Sequence, residues 1–147
     1  MAISPAVIDT NVVVSGFITK DAEAPTARIN DGMLRSTFPF LLSDALLREY
    51  RNVLLRPAIV KLHKRSVKEI DEFLAELITN GMFQKPAKRR DNLRDTKDSH
   101  VVELALSVKS AVVVSGDDDL LDASIDGLVV ITPRAFVDSW ESSKPSG

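Results

Sequence analysis

Short unbroken apolar runs alternate along this chain with longer stretches in which apolar residues recur every third or fourth position. Ala6-Val7-Ile8 stops at Asp9-Thr10-Asn11, and the run from Phe38 to Leu42 stops at Ser43-Asp44. Ala111 to Val114 and Leu128 to Ile131 repeat the form. Runs this short, rich in β-branched residues and ended by polar ones, predict buried strands. The segments between them carry helix start signals: Ser43 before Asp44, Ser66 with Glu69 as a capping box, Thr96 before Lys97-Asp98, and Thr132 followed by Pro133. Gly81 is placed to close the Ser66 helix, Pro25 to Leu34 predicts an earlier helix, and Pro57 to Lys64 a short one. Strands separated by helices predict an α/β fold with a central, mainly parallel sheet.

Composition narrows the picture. With 147 residues, 44% hydrophobic and 27% charged, the chain fits one ordered domain, expected over residues 1–141, with 142–147 as a flexible C-terminal tail. The apolar runs are far too short to span a bilayer, and the N-terminus lacks a basic region followed by an apolar stretch, so a cytoplasmic location is expected. The absence of cysteine excludes disulfides, thiolate catalysis and zinc–thiolate sites. A formal charge of −2 provides no global basic field, so any polyanion must be met locally.

The chemistry lies in the acids. In an open parallel sheet, ligands bind at the carboxyl ends of the strands, where loops and helix N-termini converge. Asp9 ends the first predicted strand, and Asp117 follows the Ala111 to Val114 strand by one turn. On the Ser43 helix, Leu46, Leu47, Tyr50, Val53 and Leu54 form one apolar stripe; a step of about 100° per residue puts Glu49 at its margin and Arg48 and Asn52 in solvent. On the helix beginning near Thr96, Val101, Val102, Ala105 and Val108 form the buried side, and Asp98 falls on that side in the first turn. Singly, each acid reads as a turn former, a helix-terminus residue or a solvated side chain. Jointly, Asp9, Glu49, Asp98 and Asp117, with Asp119 close behind, have no obvious lysine or arginine partner and call for a cation; an all-oxygen donor set favours Mg²⁺ or Mn²⁺ over zinc. The same cation would relieve the repulsion among Asp117, Asp118 and Asp119.

Five segments together resemble the PIN-domain nucleases, in particular the branch of toxin components of toxin–antitoxin systems: VIDTNVVVSGF at 7–17, LLSDALLREYRNVLLRP at 41–57, RDTKDSHVVELAL at 94–106, VVVSGDDDLL at 112–121 and VVITPRAFVDSW at 129–140. By position, the resemblance puts metal-binding acids on Asp9, Glu49, Asp98 and Asp117 and an accessory acid on Asp119, with Asn11 and Ser115 in supporting places. Ser99-His100 stands where this branch often has another acid. The resemblance implies a three-layer α/β/α sandwich, metal-dependent cleavage of single-stranded RNA, frequent homodimers and an antitoxin protein encoded nearby.

In that reading, an ion held by the acids lowers the pKa of a bound water and screens the scissile phosphate. Lys85, Lys88, Arg89, Arg90, Arg94 and Lys97 form the local candidate for RNA-backbone contact, with Arg48, Arg51, Arg56 and Lys61 as additions if their helices line the same cleft. One Trp and one Tyr limit base stacking. Both histidines, His63 and His100, are expected on the surface, and Phe17 in the core or at a dimer contact. Two other functions compete with this one. One is a catalytically silent RNA- or protein-binding module; the other is a Mg²⁺-dependent phosphotransfer domain, disfavoured because Asn11 and the Ser115-Gly116-Asp117 turn stand where its nucleophile motif needs other residues.

Overall fold

A computed structural model of the chain describes residues 4–86, 99–122 and 125–143. Its strands are β1 (Ala6–Ile8), β2 (Leu41–Leu42), β3 (Met82–Phe83), β4 (Val112–Val114) and β5 (Val130–Ile131). The helices are α1 (Thr10–Ile18), α2 (Pro25–Leu34), α3 (Asp44–Leu54), α4 (Pro57–His63), α5 (Val67–Asn80), α6 (Ser99–Leu106), α7 (Asp118–Leu121) and α8 (Pro133–Ser143).

Among the described residues every strand pairing is parallel: β1 beside β4, β4 beside β5, and β2 beside β3. A parallel bridge between Ala6 and Phe40 joins the two sets, giving the order β3-β2-β1-β4-β5. The chain therefore builds outward from β1 in one direction through β2 and β3, then returns to the other side of β1 for β4 and β5. The carboxyl ends of β1 and β4 flank the point where the strand order reverses, and there the flanking loops part to leave a crevice. Helices connect and cover the strands in the expected α/β/α arrangement, with α6 packed across β1, β2 and β4. All three residues of β1 are buried, as a central strand requires.

Three of the expected helices keep their start signals. Ser43 Oγ accepts from Leu46 N at 3.2 Å; Ser66 and Glu69 form both bonds of the capping box, and Gly81 closes α5; Thr132 Oγ1 accepts from Ala135 N at 3.1 Å. Three elements were not expected. Helix α1 carries the β-branched run Val12 to Val14, which on propensity favours a strand. Asp9 caps it, and Val12 and Val13 are buried, so tertiary packing overrides propensity. Gly16 lets α1 and α2 approach: a Cβ there would stand 2.2 Å from Asn30 Nδ2 and 2.7 Å from the Thr26 carbonyl. The other two, β3 and α7, are two and four residues long, too short to leave a periodic signature.

The core is continuous, and its largest aromatic group joins Phe38, Phe40, Phe136 and Trp140. Tyr50 and Trp140, the sole tyrosine and tryptophan, are both buried. Phe17 packs edge-on against Phe73 with ring centroids 4.7 Å apart, a partly buried extension of the core. Among the described residues, no helix is long and apolar enough to cross a membrane.

Candidate functional site

The site begins where β1 gives way to α1. Asp9, almost fully buried, is the N-cap of α1: its Oδ1 accepts from Thr10 N at 2.8 Å. Its Oδ2 accepts from Ser115 Oγ at 2.7 Å and from Asn11 Nδ2 at 3.2 Å. Ser115, fully buried at the end of β4, also accepts from Asp117 N at 3.0 Å, so one hydroxyl ties the two strand ends together. Asn11 Oδ1 reaches Gly116 N at 3.4 Å from the other side. A buried carboxylate is tolerated when donors surround it, and here helix N-terminus, hydroxyl and amide all converge on Asp9.

The acidic run after β4 divides by role. Asp117 caps α7, its Oδ1 accepting from Asp119 N at 2.9 Å, while Asp118 and Asp119 are exposed. Capping and solvation account for the three adjacent carboxylates without invoking an ion, because a helix N-terminus attracts negative charge and water screens the rest.

Glu49 comes from α3. The predicted stripe is present: Leu46, Tyr50 and Leu54 are buried, Leu47 and Val53 half-buried, Glu49 half-buried at the margin, and Arg48 and Asn52 exposed. Thr10 Oγ1 donates to Glu49 Oε1, and His100 Nε2 lies 2.6 Å from Glu49 Oε2. Next along α3, the Tyr50 hydroxyl donates to the carbonyl of Ile8, one residue before Asp9. Burial, then the charges of Asp9 and Glu49, hold the Tyr50 phenol well above the ordinary tyrosine range.

These side chains line an open cleft of about 610 Å³ whose walls are Asp9, Thr10, Asn11, Val14, Ser15, Glu49, Val53, Arg56 and Asp117. Of the expected acids, Asp9, Glu49 and Asp117 share this cleft, while Asp119 is exposed on the first turn of α7 and does not line it. Asp98 lies outside the described residues, as do the expected RNA contacts Lys88, Arg89, Arg90 and Arg94, together with Lys97. Among the described residues, Arg56, at the start of α4, is the cation on the cleft wall; Arg51 instead faces α5 and pairs with Asp71 at 2.8 Å.

The expectation that both histidines lie on the surface is overturned. His63 is buried, its Nε2 2.8 Å from the Leu54 carbonyl and its Nδ1 accepting from Arg65 N at 2.9 Å, because the left-handed Lys64 turns the chain back over the ring. His100 is half-buried against Glu49. Helix phase turns His100 away from the buried Val101 and Val102, but the side it occupies meets α3 rather than water.

Among the described residues, no group of three or more His, Cys, Asp or Glu side chains is placed to hold a metal ion by itself. The donor set still fits a hard divalent cation. Asp9, Glu49, Asp117 and the Asn11 amide offer only oxygen on the acceptor side, and Mg²⁺ keeps several waters while taking only one or two carboxylates directly. A loosely spaced set of acids suits an ion held partly through water.

No curated protein matches the chain. A family model described as the PIN domain matches residues 5–119, from the residue before β1 to the first turn of α7, and so takes in β1, α3, α6 and β4. With most of its length matched, a wholly parallel sheet and the acids at the switch point, the chain belongs to the PIN domain family and carries its nuclease-type fold.

Proposed function

We propose that the protein is a Mg²⁺- or Mn²⁺-dependent endoribonuclease that hydrolyses phosphodiester bonds in single-stranded RNA. The observation that carries this reading is the convergence of Asp9, Glu49 and Asp117 from three separate elements on one open cleft at the strand-order reversal. We further propose that it acts as the toxin of a toxin–antitoxin pair, as a homodimer restrained by an antitoxin protein encoded nearby. Those three points rest on the sequence resemblance alone.

Asp9 and Asp117 present oxygens whose directions are set by the helices they cap. Glu49 faces them from α3, and Asp98 is the fourth acid of the set. The ion would be held by these residues, directly or through water, and when bound it supplies positive charge toward the phosphate and acidifies a water for in-line attack. Without that charge, the carboxylates repel a phosphodiester and the cleft is inert. Arg56 on the wall positions a phosphate by charge, and Val14 and Val53 keep part of the wall apolar, which strengthens electrostatic contacts beside it. With Tyr50 and Trp140 buried, neither offers a stacking face to a base.

The test is cleavage of total RNA with the product ends mapped, run with and without Mg²⁺ or Mn²⁺ beside Asp9→Asn. Loss of cleavage of about a thousandfold is expected in the variant, in line with removal of a group essential to the transition state. The asparagine still caps α1, so folding is retained. Undiminished metal-dependent cleavage by Asp9→Asn would remove the assignment.

A further inference from the structure

Glu49 differs from the other two acids of the cleft in how it is held. Asp9 and Asp117 are fixed by the backbone, because each caps a helix. Glu49 sits in the middle of α3, on a side chain with three rotatable bonds, and among the described residues only side chains hold it: Thr10 at one oxygen and His100 at the other. His100 Nε2 meets Glu49 Oε2 in a short 2.6 Å contact, which leaves the other ring nitrogen, Nδ1, to find its partner elsewhere. That Nδ1 is buried and has no partner among the described residues. The described hydrogen bonding of His100 is thus spent on Glu49 alone, and the ring does not line the cleft.

We infer that His100 is a positioning residue for Glu49: together with Thr10 it fixes the carboxylate of α3 toward the cleft and so sets the affinity of the site for a divalent cation. This rests on the metal-site reading above. Partners that orient a ligating side chain remove the rotamers it would otherwise lose on binding the ion. A role in packing alone makes the opposite forecast. Nδ1 has no partner among the described residues and the pair with Glu49 is partly exposed, so replacing the ring by an apolar side chain of similar size should leave the fold about as stable as before.

The experiment is calorimetric titration of the full chain with Mn²⁺, paired with thermal melts of the metal-free protein. His100→Leu is expected to weaken Mn²⁺ binding about tenfold while the metal-free melting temperature is essentially unchanged. His100→Gln, whose amide N–H reaches the Nε2 position, should recover most of the affinity. In a Glu49→Gln background, His100→Leu should add nothing further, because the group it positions is no longer a carboxylate. Parent-like affinity in His100→Leu, failure of His100→Gln to rescue, or additive losses in the double variant would each overturn the inference. If His100→Leu does not fold, His100→Asn, too short to reach Glu49, replaces it with the same expected weakening. Asp9→Asn run alongside separates the two levels: parent-like Mn²⁺ binding there removes the metal site itself, whatever His100 does.

Discussion

The two walls of the cleft are built by different means. On the β1–β4 wall, Asp9, Asn11, Ser115 and Asp117 form a closed set of bonds within a few residues of two strand ends. On the α3 wall, Glu49 is held across 39 residues by Thr10 and across 51 by His100. The first wall is part of how the fold closes, since its carboxylates cap α1 and α7. The second is an attachment that the fold can lose without coming apart. Removing a residue that holds the acids of the first wall should therefore appear as lost stability, and removing one that holds Glu49 as lost ligand affinity.

The sharpest way to break this contrast is Ser115→Ala. It removes the donor to a buried oxygen of Asp9 and the acceptor of Asp117 N in one step. A cost on the order of 1–3 kcal/mol is expected, seen as a fall of several degrees in the thermal midpoint. His100→Leu, acting on a partly exposed pair, should cost well under that. Equal losses in the two variants would mean that the walls are not distinct.

Tyr50→Phe probes the joint between the walls, because the phenol on α3 bonds the carbonyl that precedes Asp9. Near neutral pH the variant should lose about 1 kcal/mol. The pH dependence has a definite sign. The folded-state pKa is raised, so below the ordinary tyrosine value of about 10 the phenol is protonated in both states and its contribution is intact. As pH rises past that value, the unfolded chain releases a proton that the folded chain keeps, and stability falls. Thermal melts across the alkaline range should show this decline in the parent and flatten it in Tyr50→Phe. Since Tyr50 is the sole tyrosine, tyrosinate absorbance in the parent should rise only together with unfolding.

The same contrast governs what the sequence could tell. Asp9 and Asp117 were reachable because strand ends and helix caps are local, and Glu49 because the phase of α3 follows from its apolar stripe. The strand-order reversal was not written locally, yet the alternation of elements was enough to put both strand ends at one edge. Helix α1 was missed because Val12 to Val14 favour a strand until the burial of their faces is counted. β3, two exposed residues at the sheet edge, has no alternation to read. His100 was misplaced because helix phase says which way a ring leaves its own helix and nothing about the neighbour it meets, and His63 because the left-handed turn at Lys64 that folds the chain over its ring has no signal in the pattern. What holds Glu49 is written only in tertiary contacts.

Whether the cleft is a site for a divalent cation is measured most directly by the Mn²⁺-induced shift in thermal midpoint of the full chain, parent against Asp9→Asn. An ion bound only by the folded state must raise the midpoint, by RT ln(1 + [L]/Kd) in free energy. A rise that grows with Mn²⁺ in the parent and is absent in Asp9→Asn is the predicted result. No rise in the parent, or the same rise in both proteins, would contradict it.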